Sequence, residues 1–511
     1  THGEIATSTA DNSVGRARAT AQVRLSPDAG GWVSVAGAHG SGRDYFFNEY
    51  DADPATGGWA RAVDGFDAGT VNGRIWYKAL TLQWLYTSRE KTLPSGEFAT
   101  IFGDPRTHFV DTRGLVELRF EPQIGSNLQW LTRAHANLYE FYDALAYTPE
   151  NGGFTQESFQ GRWVGIEQRL VYSPINDLRL TLGGEYQLNP TAKQYGVSAT
   201  GPAYLDRDDP FSTEAVYLVG DYAPSKIVKL SLGARYDNYD YASNYDHSSK
   251  AQKLDPVSSP NPRAAIIVRP FERDIIKLMG GTAFRAPSVY EHFYEGPTQT
   301  AGGNLKPEKV TSVELELTHR FTNTVSALVT GFTNYVQDLI VLGGDGTTAS
   351  PNQYVNSANP VQTVGAEAEV RRDWRNGVMF SASYSFQHSA YQNNDNHALR
   401  EVPNSPQHLA AVKAAAPIIG SALGAMTRVS IQGPRFDKYD QAGDPPQGTT
   451  PAAVLWDIVL SGEQARYGLH YSLGLYNAMD YRYTVPVSRE FTQTSIVQNG
   501  RTVMASTQVS F

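Results

Sequence analysis

At 511 residues the chain carries 19% charged and 41% hydrophobic side chains, both low for a soluble domain, beside 29 Tyr and 46 Gly. Cysteine is absent, which excludes disulfides, thiolate metal centres and cysteine nucleophiles; the net charge of -9 excludes the basic face that a nucleic-acid partner requires. No apolar stretch supplies the roughly 20 clean residues of a membrane helix. The richest, 409–426, contains Lys413 and Pro417 and is broken by Gly420 and Gly424, so it reads as two strands and a turn.

From the N-terminus onward the pattern is period two, which would scatter apolar residues around a helix axis. It predicts strands at 3–10, 16–24, 32–39, 72–79, 81–90, 111–122, 128–142 and 161–173. At 178–189 the alternation is explicit: Leu178, Leu180, Leu182, Tyr186 and Leu188 share one face, with Arg179, Thr181, Glu185 and Gln187 on the other. Strands follow at 212–223 and at 228–239, where Leu230, Leu232, Ala234 and Tyr236 oppose Lys229, Ser231, Arg235 and Asp237. The second half adds 259–269, 274–284, 309–320, 325–336, 364–374, 378–388, 408–416, 423–431, 453–461, 467–478 and 501–511.

After the first hairpin the links alternate. Tight turns at 173–177, 223–226 and 373–377 carry Pro, Gly, Asn and Asp. Between them lie polar loops at 40–71, 190–211, 240–260, 285–308 and 338–363. Short turns at one end, long loops at the other and an even set of about 22 strands predict an all-β chain. The fold expected is a transmembrane antiparallel β-barrel occupying 1–511 as one domain, with a wet polar lumen and an apolar wall against lipid. A soluble propeller would show blade signatures every 40–45 residues or so, and none is present. The last strand places Val503, Ala505, Thr507, Val509 and Phe511 on one face and ends on that aromatic ring.

Phe284-Arg285-Ala286-Pro287-Ser288-Val289-Tyr290-Glu291, followed by Gly303-Asn304-Leu305-Lys306-Pro307-Glu308, resembles the mid-barrel signature of TonB-dependent outer-membrane receptors. Val364-Gly365-Ala366-Glu367-Ala368-Glu369, Val402-Pro403-Asn404-Ser405-Pro406-Gln407-His408 and Leu475-Tyr476-Asn477-Ala478-Met479-Asp480 are similar to later family motifs, in the family's order. The resemblance implies a 22-strand barrel in the outer membrane of a Gram-negative bacterium. It implies structural roles at a loop base for Arg285, Pro287, Glu291, Asn304, Pro307 and Glu308, and an assembly signal at Phe511. Outer-membrane lipid, lipopolysaccharide and the barrel-assembly machinery are the implied partners.

Family receptors also carry an N-terminal plug preceded by a box gripped by the TonB protein. Here residues 3–8 already read as barrel strand, so no plug is expected within this sequence. A barrel of this width cannot be filled by its own side chains, so a plug or another lumen-filling protein is the expected occupant. TonB is a partner if a plug with a TonB box exists.

The richest candidate ligand loop runs through Tyr236, Asp237, Tyr239, Asp240 and Tyr241 to Tyr245, Asp246 and His247. Tyr rings would stack on sugars or chelates, and Asp would accept hydrogen bonds or hold a hard cation. The plainer alternative is an aromatic girdle grading into solvated loop. Asp51, Asp53 and the 206–209 run lack the fixed spacing of a calcium loop, and the 11 His form no zinc pattern, so no metal or cofactor is expected. With no nucleophile motif in view, the chain is not expected to be an enzyme. Two functions remain: a TonB-dependent receptor for a metal chelate, cobalamin or oligosaccharide, and a plugless scaffold, conduit or open pore with a partner in its lumen.

Overall fold

A computed structural model of the chain describes residues 2–11, 13–199, 201–241, 254–347, 349–374, 376–392, 400–437 and 448–511. Twenty-two strands form its wall: β1 (His2–Ala10), β2 (Val14–Ser26), β3 (Ala29–Gly40), β4 (Phe66–Tyr77), β5 (Leu80–Thr92), β6 (His108–Phe120), β7 (Leu128–Ala146) and β8 (Phe154–Ile175). Next come β9 (Leu178–Ser198), β10 (Phe211–Tyr222), β11 (Val228–Asp240), β12 (Val257–Val268), β13 (Asp274–Arg285), β14 (Glu308–Arg320) and β15 (Val325–Gln337). The last are β16 (Val361–Asp373), β17 (Met379–Tyr391), β18 (His408–Ile419), β19 (Leu423–Gln432), β20 (Ala453–Gln464), β21 (Leu469–Tyr476) and β22 (Thr502–Ser510).

Each strand pairs antiparallel with its sequence neighbours, and β1 also pairs with β22 from Glu4↔Ser510 to Ala10↔Met504. That pairing closes the sheet and removes the two edges an open sheet would expose. Gly3 and Phe511 extend the seam, with Gly3 N–H donating to Phe511 O at 2.7 Å and Phe511 N–H to Gly3 O at 2.9 Å. The Phe511 ring lies over Gly3, where any Cβ would collide with it. The 409–426 segment forms two strands and a turn, and none of the described helices is long and apolar enough to cross a membrane.

The two ends of the barrel differ as the spacing predicts. Links of two to seven residues join strands at one end, whereas 41–65, 93–107, 286–307, 338–360 and 477–501 rise from the other. On the long-loop side the 11–13 hairpin and the seven-residue 147–153 link are short. Outward positions are apolar yet exposed, as at Val216, Leu218 and Leu232. In water that surface would be unfavourable by about 25 cal/mol per Å²; against lipid it is at home.

Inward positions are polar and paired with one another. Gln83 donates to Glu117 at 2.8 Å, Arg133 pairs with Glu167 at 2.8 Å, and Tyr217 donates to Glu167 at 2.8 Å. Arg235 then bridges Glu185 at 3.1 Å and Asp237 at 2.8 Å. The ladder therefore runs from β5 to β11 on one wall. Gly183 opposes Tyr217 across β9 and β10, and its missing Cβ makes room for that ring to reach Glu167.

Some boundaries differ from the sequence-based expectation. β8 begins at Phe154 rather than 161, and β9 runs to Ser198 rather than 189, so the loop expected at 190–211 is half strand. Both faces of these extensions carry polar residues, which hides the alternation, but they pair in register from Thr155↔Ser198 to Arg162↔Thr191.

Candidate functional site

Above the lipid band, the outward face of β8 changes from Val164, Ile166 and Leu170 to Arg162, Gln160 and Ser158. The extensions of β7–β9 therefore stand clear of the membrane and shape the long-loop mouth. Their inward positions continue the lumen-facing register, with Phe109 opposite Asp143, Asp143 opposite Glu157 and Phe141 opposite Phe159.

Rings line this part of the wall. Centroid separations are 5.3 Å for Phe109–Phe141, 5.7 Å for Phe141–Phe159, 5.6 Å for Phe159–Tyr290 and 5.9 Å for Tyr290–Tyr354. Phe98 joins at 6.4 Å from Phe109, and Tyr294 stacks on Tyr290 at 4.4 Å. Tilted and edge-on pairs at these distances are the favoured aromatic geometries.

Two buried carboxylates stand in the same arc. The Glu157 backbone N–H donates to Asp143 Oδ1 at 3.0 Å, and the hydroxyls of Tyr204 and Tyr294 each donate to Glu157 Oε1 at 2.5 Å. Burial, with Glu157 adding repulsion, pushes Asp143 up to about 8. Burial also raises Glu157, against the two tyrosine donors that favour its charged form. Both tyrosine hydroxyls are driven well above their usual range by burial and the neighbouring carboxylate, so they remain donors. Among the described residues, no group of three His, Cys, Asp or Glu is arranged to hold a metal ion.

The 286–307 loop that delivers Tyr290 and Tyr294 is built on a charged clamp. A short helix, Val289–Phe293, starts with a capping box: Ser288 Oγ accepts from Glu291 N–H at 3.1 Å, and Glu291 Oε2 accepts from Ser288 N–H at 2.7 Å. Arg285 at the top of β13 donates twice to Glu291 at 2.9 Å and to Glu308 at 2.7 and 2.9 Å. Glu308 in turn accepts from Ile340 N–H at 2.8 Å, tying in the next loop. Pro287 O accepts the Tyr241 hydroxyl at 2.6 Å, and Asn304 exchanges hydrogen bonds with Asp255 at 3.0 and 3.3 Å. His292 is fully buried, donates from Nδ1 to Gly303 O at 2.7 Å, and is held neutral by burial.

The residues expected at the ligand loop separate. Tyr236 faces outward toward lipid, and Asp237 faces the lumen in the Arg235 pair. Tyr239 lies between Tyr241 and Phe284 at 6.3 and 5.9 Å, and Asp240 ends β11 with an interaction partner of its own. Tyr241 is buried with Leu254, Val257 and Phe293 beneath the 286–307 loop. Tyr245, Asp246 and His247 lie outside the described residues. Pro307 precedes β14, and Phe511 closes the barrel seam.

Sequence reasoning missed the aromatic arc and the Asp143–Glu157 pair. The signal was available in the inward register of Glu167, Gly165 and Trp163, which continues unbroken to Gly161, Phe159 and Glu157.

A family model described as TonB dependent receptor-like, beta-barrel matches residues 28–478. The iron-regulated outer membrane virulence protein of Vibrio cholerae serotype O1 is 32% identical over 143 residues, spanning 25% of this chain and 22% of that protein. The FrpB iron transporter of Neisseria meningitidis (F3-3 variant) superposes with a TM-score of 0.77 at 14% identity, over 100% of this chain and 81% of that one. The ferric yersiniabactin uptake receptor FyuA of Yersinia pestis gives 0.76 at 14% identity, over 100% and 80%. The ferric-catecholate import receptor Fiu of E. coli K12 gives 0.75 at 14%, over 100% and 81%. At such identities these structures share the barrel fold. A closed 22-strand wall with a lipid-compatible exterior, matched by a family model over most of its length, is an integral outer-membrane protein: the chain belongs to the TonB-dependent receptor-like β-barrel family.

Proposed function

We propose that this barrel takes up a scarce metal chelate, captured at the extracellular mouth and passed inward through the lumen. The observation that carries the reading is the arc of Phe109, Phe141, Phe159, Tyr290 and Tyr354 on the inner wall of that mouth. Flat polarisable ring faces stack on the planar groups of a chelate, while the few polar groups beside them orient it. The proteins named above for iron and ferric chelates support the same class. Tyr239 and Asp240 at the end of β11, with Tyr245, Asp246 and His247 after it in sequence, are proposed to add contacts.

The charged ladder from β5 to β11 is a surface on which a plug polypeptide would dock, and passage would then be gated by the TonB complex. Aromatic and carboxylate groups fit transport, and no chemical turnover is proposed.

Uptake by cells tests the reading. Cells expressing the full-length protein should accumulate a radiolabelled ferric or cupric chelate, and Tyr290→Ala with Phe159→Ala should cut that uptake at least about tenfold, the loss of one or more aromatic contacts. Competition by cobalamin or an oligosaccharide but by no ferric or cupric chelate would overturn the assignment of class.

A further inference from the structure

Five of the loops over the mouth gather into two bodies. On one side, the 41–65 hairpin buries Phe47, Ala60 and Val63 against Phe102 of the 93–107 loop, and Ile496 of the 477–501 loop packs on the same cluster. The 477–501 loop is stiffened by its own pair of strands, Thr484–Pro486 with Ser495–Val497. Fully buried Gln493 donates to Ser95 O at 3.0 Å, and Phe98 N–H donates to Glu490 O at 2.7 Å. These three loops therefore share apolar packing and backbone bonds, and move as a unit.

On the other side, the 286–307 and 338–360 loops are joined by a parallel pairing of Gln299–Thr300 with Asn352–Gln353. Asn356 adds a reciprocal tie, accepting from Lys306 N–H at 2.8 Å and donating to Lys306 O at 2.9 Å. The Arg285 clamp fixes both loops to the barrel rim.

The 477–501 loop leaves the barrel between β21 and β22, six strands from the 93–107 loop in one direction and six from the 338–360 loop in the other. Its tip nevertheless touches both, so it spans the mouth. Across the seam Arg489 donates to Leu342 O and Gly344 O at 2.9 Å and to Asn352 Oδ1 at 3.0 Å. One guanidinium fork thus gathers three acceptors from the opposite body. Each body is held by several apolar, backbone and side-chain contacts at once, whereas Arg489 is one polar side chain whose three bonds water can replace. Release at the seam is the easier motion.

We propose that the extracellular cover is a two-piece gate that parts along this seam, with Arg489 as its bolt. The gate admits the ligand to the aromatic arc, a role that rests on the receptor reading above. The fork supplies the closed state with hydrogen bonds that an incoming ligand or water must displace.

The absence of native cysteine permits a direct test in the full chain, in outer-membrane vesicles. Ser488→Cys with Ala349→Cys places spin labels at exposed positions on either side of the seam, and Thr298→Cys with Ala349→Cys places them within one body. Pulsed dipolar spectroscopy should give one narrow cross-seam distance with Arg489 present. Arg489→Ala should shift it longer and broaden it, Arg489→Lys should do so less, and the within-body distance should stay fixed. An unchanged cross-seam distribution in Arg489→Ala would overturn the bolt, and a within-body distance that broadened equally would show loop unfolding and overturn the two-piece gate. Because no ligand enters this readout, its failure is distinguishable from failure of the uptake reading.

Discussion

Arg285 shows how much local order one side chain imposes. It neutralises Glu291 and Glu308, which would otherwise repel, and so holds a five-residue helix that is too short to persist by itself. Arg285→Ala should loosen the 286–307 loop by about 1 kcal/mol, a figure reduced for the solvent exposure of the guanidinium. Hydrogen exchange at Val289–Phe293 would read this as protection falling about five- to tenfold, and undiminished protection would show that the capping box suffices.

Asp143 makes a second prediction at this scale. Its carboxyl is raised by burial and by Glu157, so the folded mouth favours the protonated form. That contribution is complete below the ordinary carboxyl value near 4 and is lost as pH rises through about 8. After correction for intrinsic exchange, protection of residues 147–153 should decline across that window, and Asp143→Asn should flatten the decline.

Strands were legible wherever one face met lipid and the other met water. Leu232 and Ser231 illustrate the rule. Leu232 is 65% exposed on the outer face and Ser231 points inward. Leu232→Arg should destabilise the barrel by about 2–4 kcal/mol in a lipid refolding titration, and Ser231→Arg by well under 1 kcal/mol. Equal effects would contradict the assigned register. Beyond the lipid band the alternation loses its cause, since lipid no longer selects apolar residues on the outer face, and so the extensions of β8 and β9 escaped notice. The family motifs marked Arg285, Glu291 and Glu308 by resemblance, while their shared clamp emerged only in three dimensions. Phe159 and Tyr290 are 131 positions apart in sequence, numbered on one chain, and no local pattern predicts that they touch.

At the scale of the molecule, closure by β1 and β22 turns a strand count into a lumen, and the alternation of turn lengths gives that lumen a direction. Aromatic rings and buried carboxylates gather at the long-loop end, while the ion-pair ladder lies deeper. A ligand would therefore meet stacking surfaces first and charged wall second. The most direct measurement is energised uptake by the full-length protein in cells. Accumulation of a labelled metal chelate should require both this protein and TonB, and should fall at least about tenfold with the paired Phe159→Ala and Tyr290→Ala substitutions. Accumulation that persists without TonB, or that ignores the substitutions, would contradict the account.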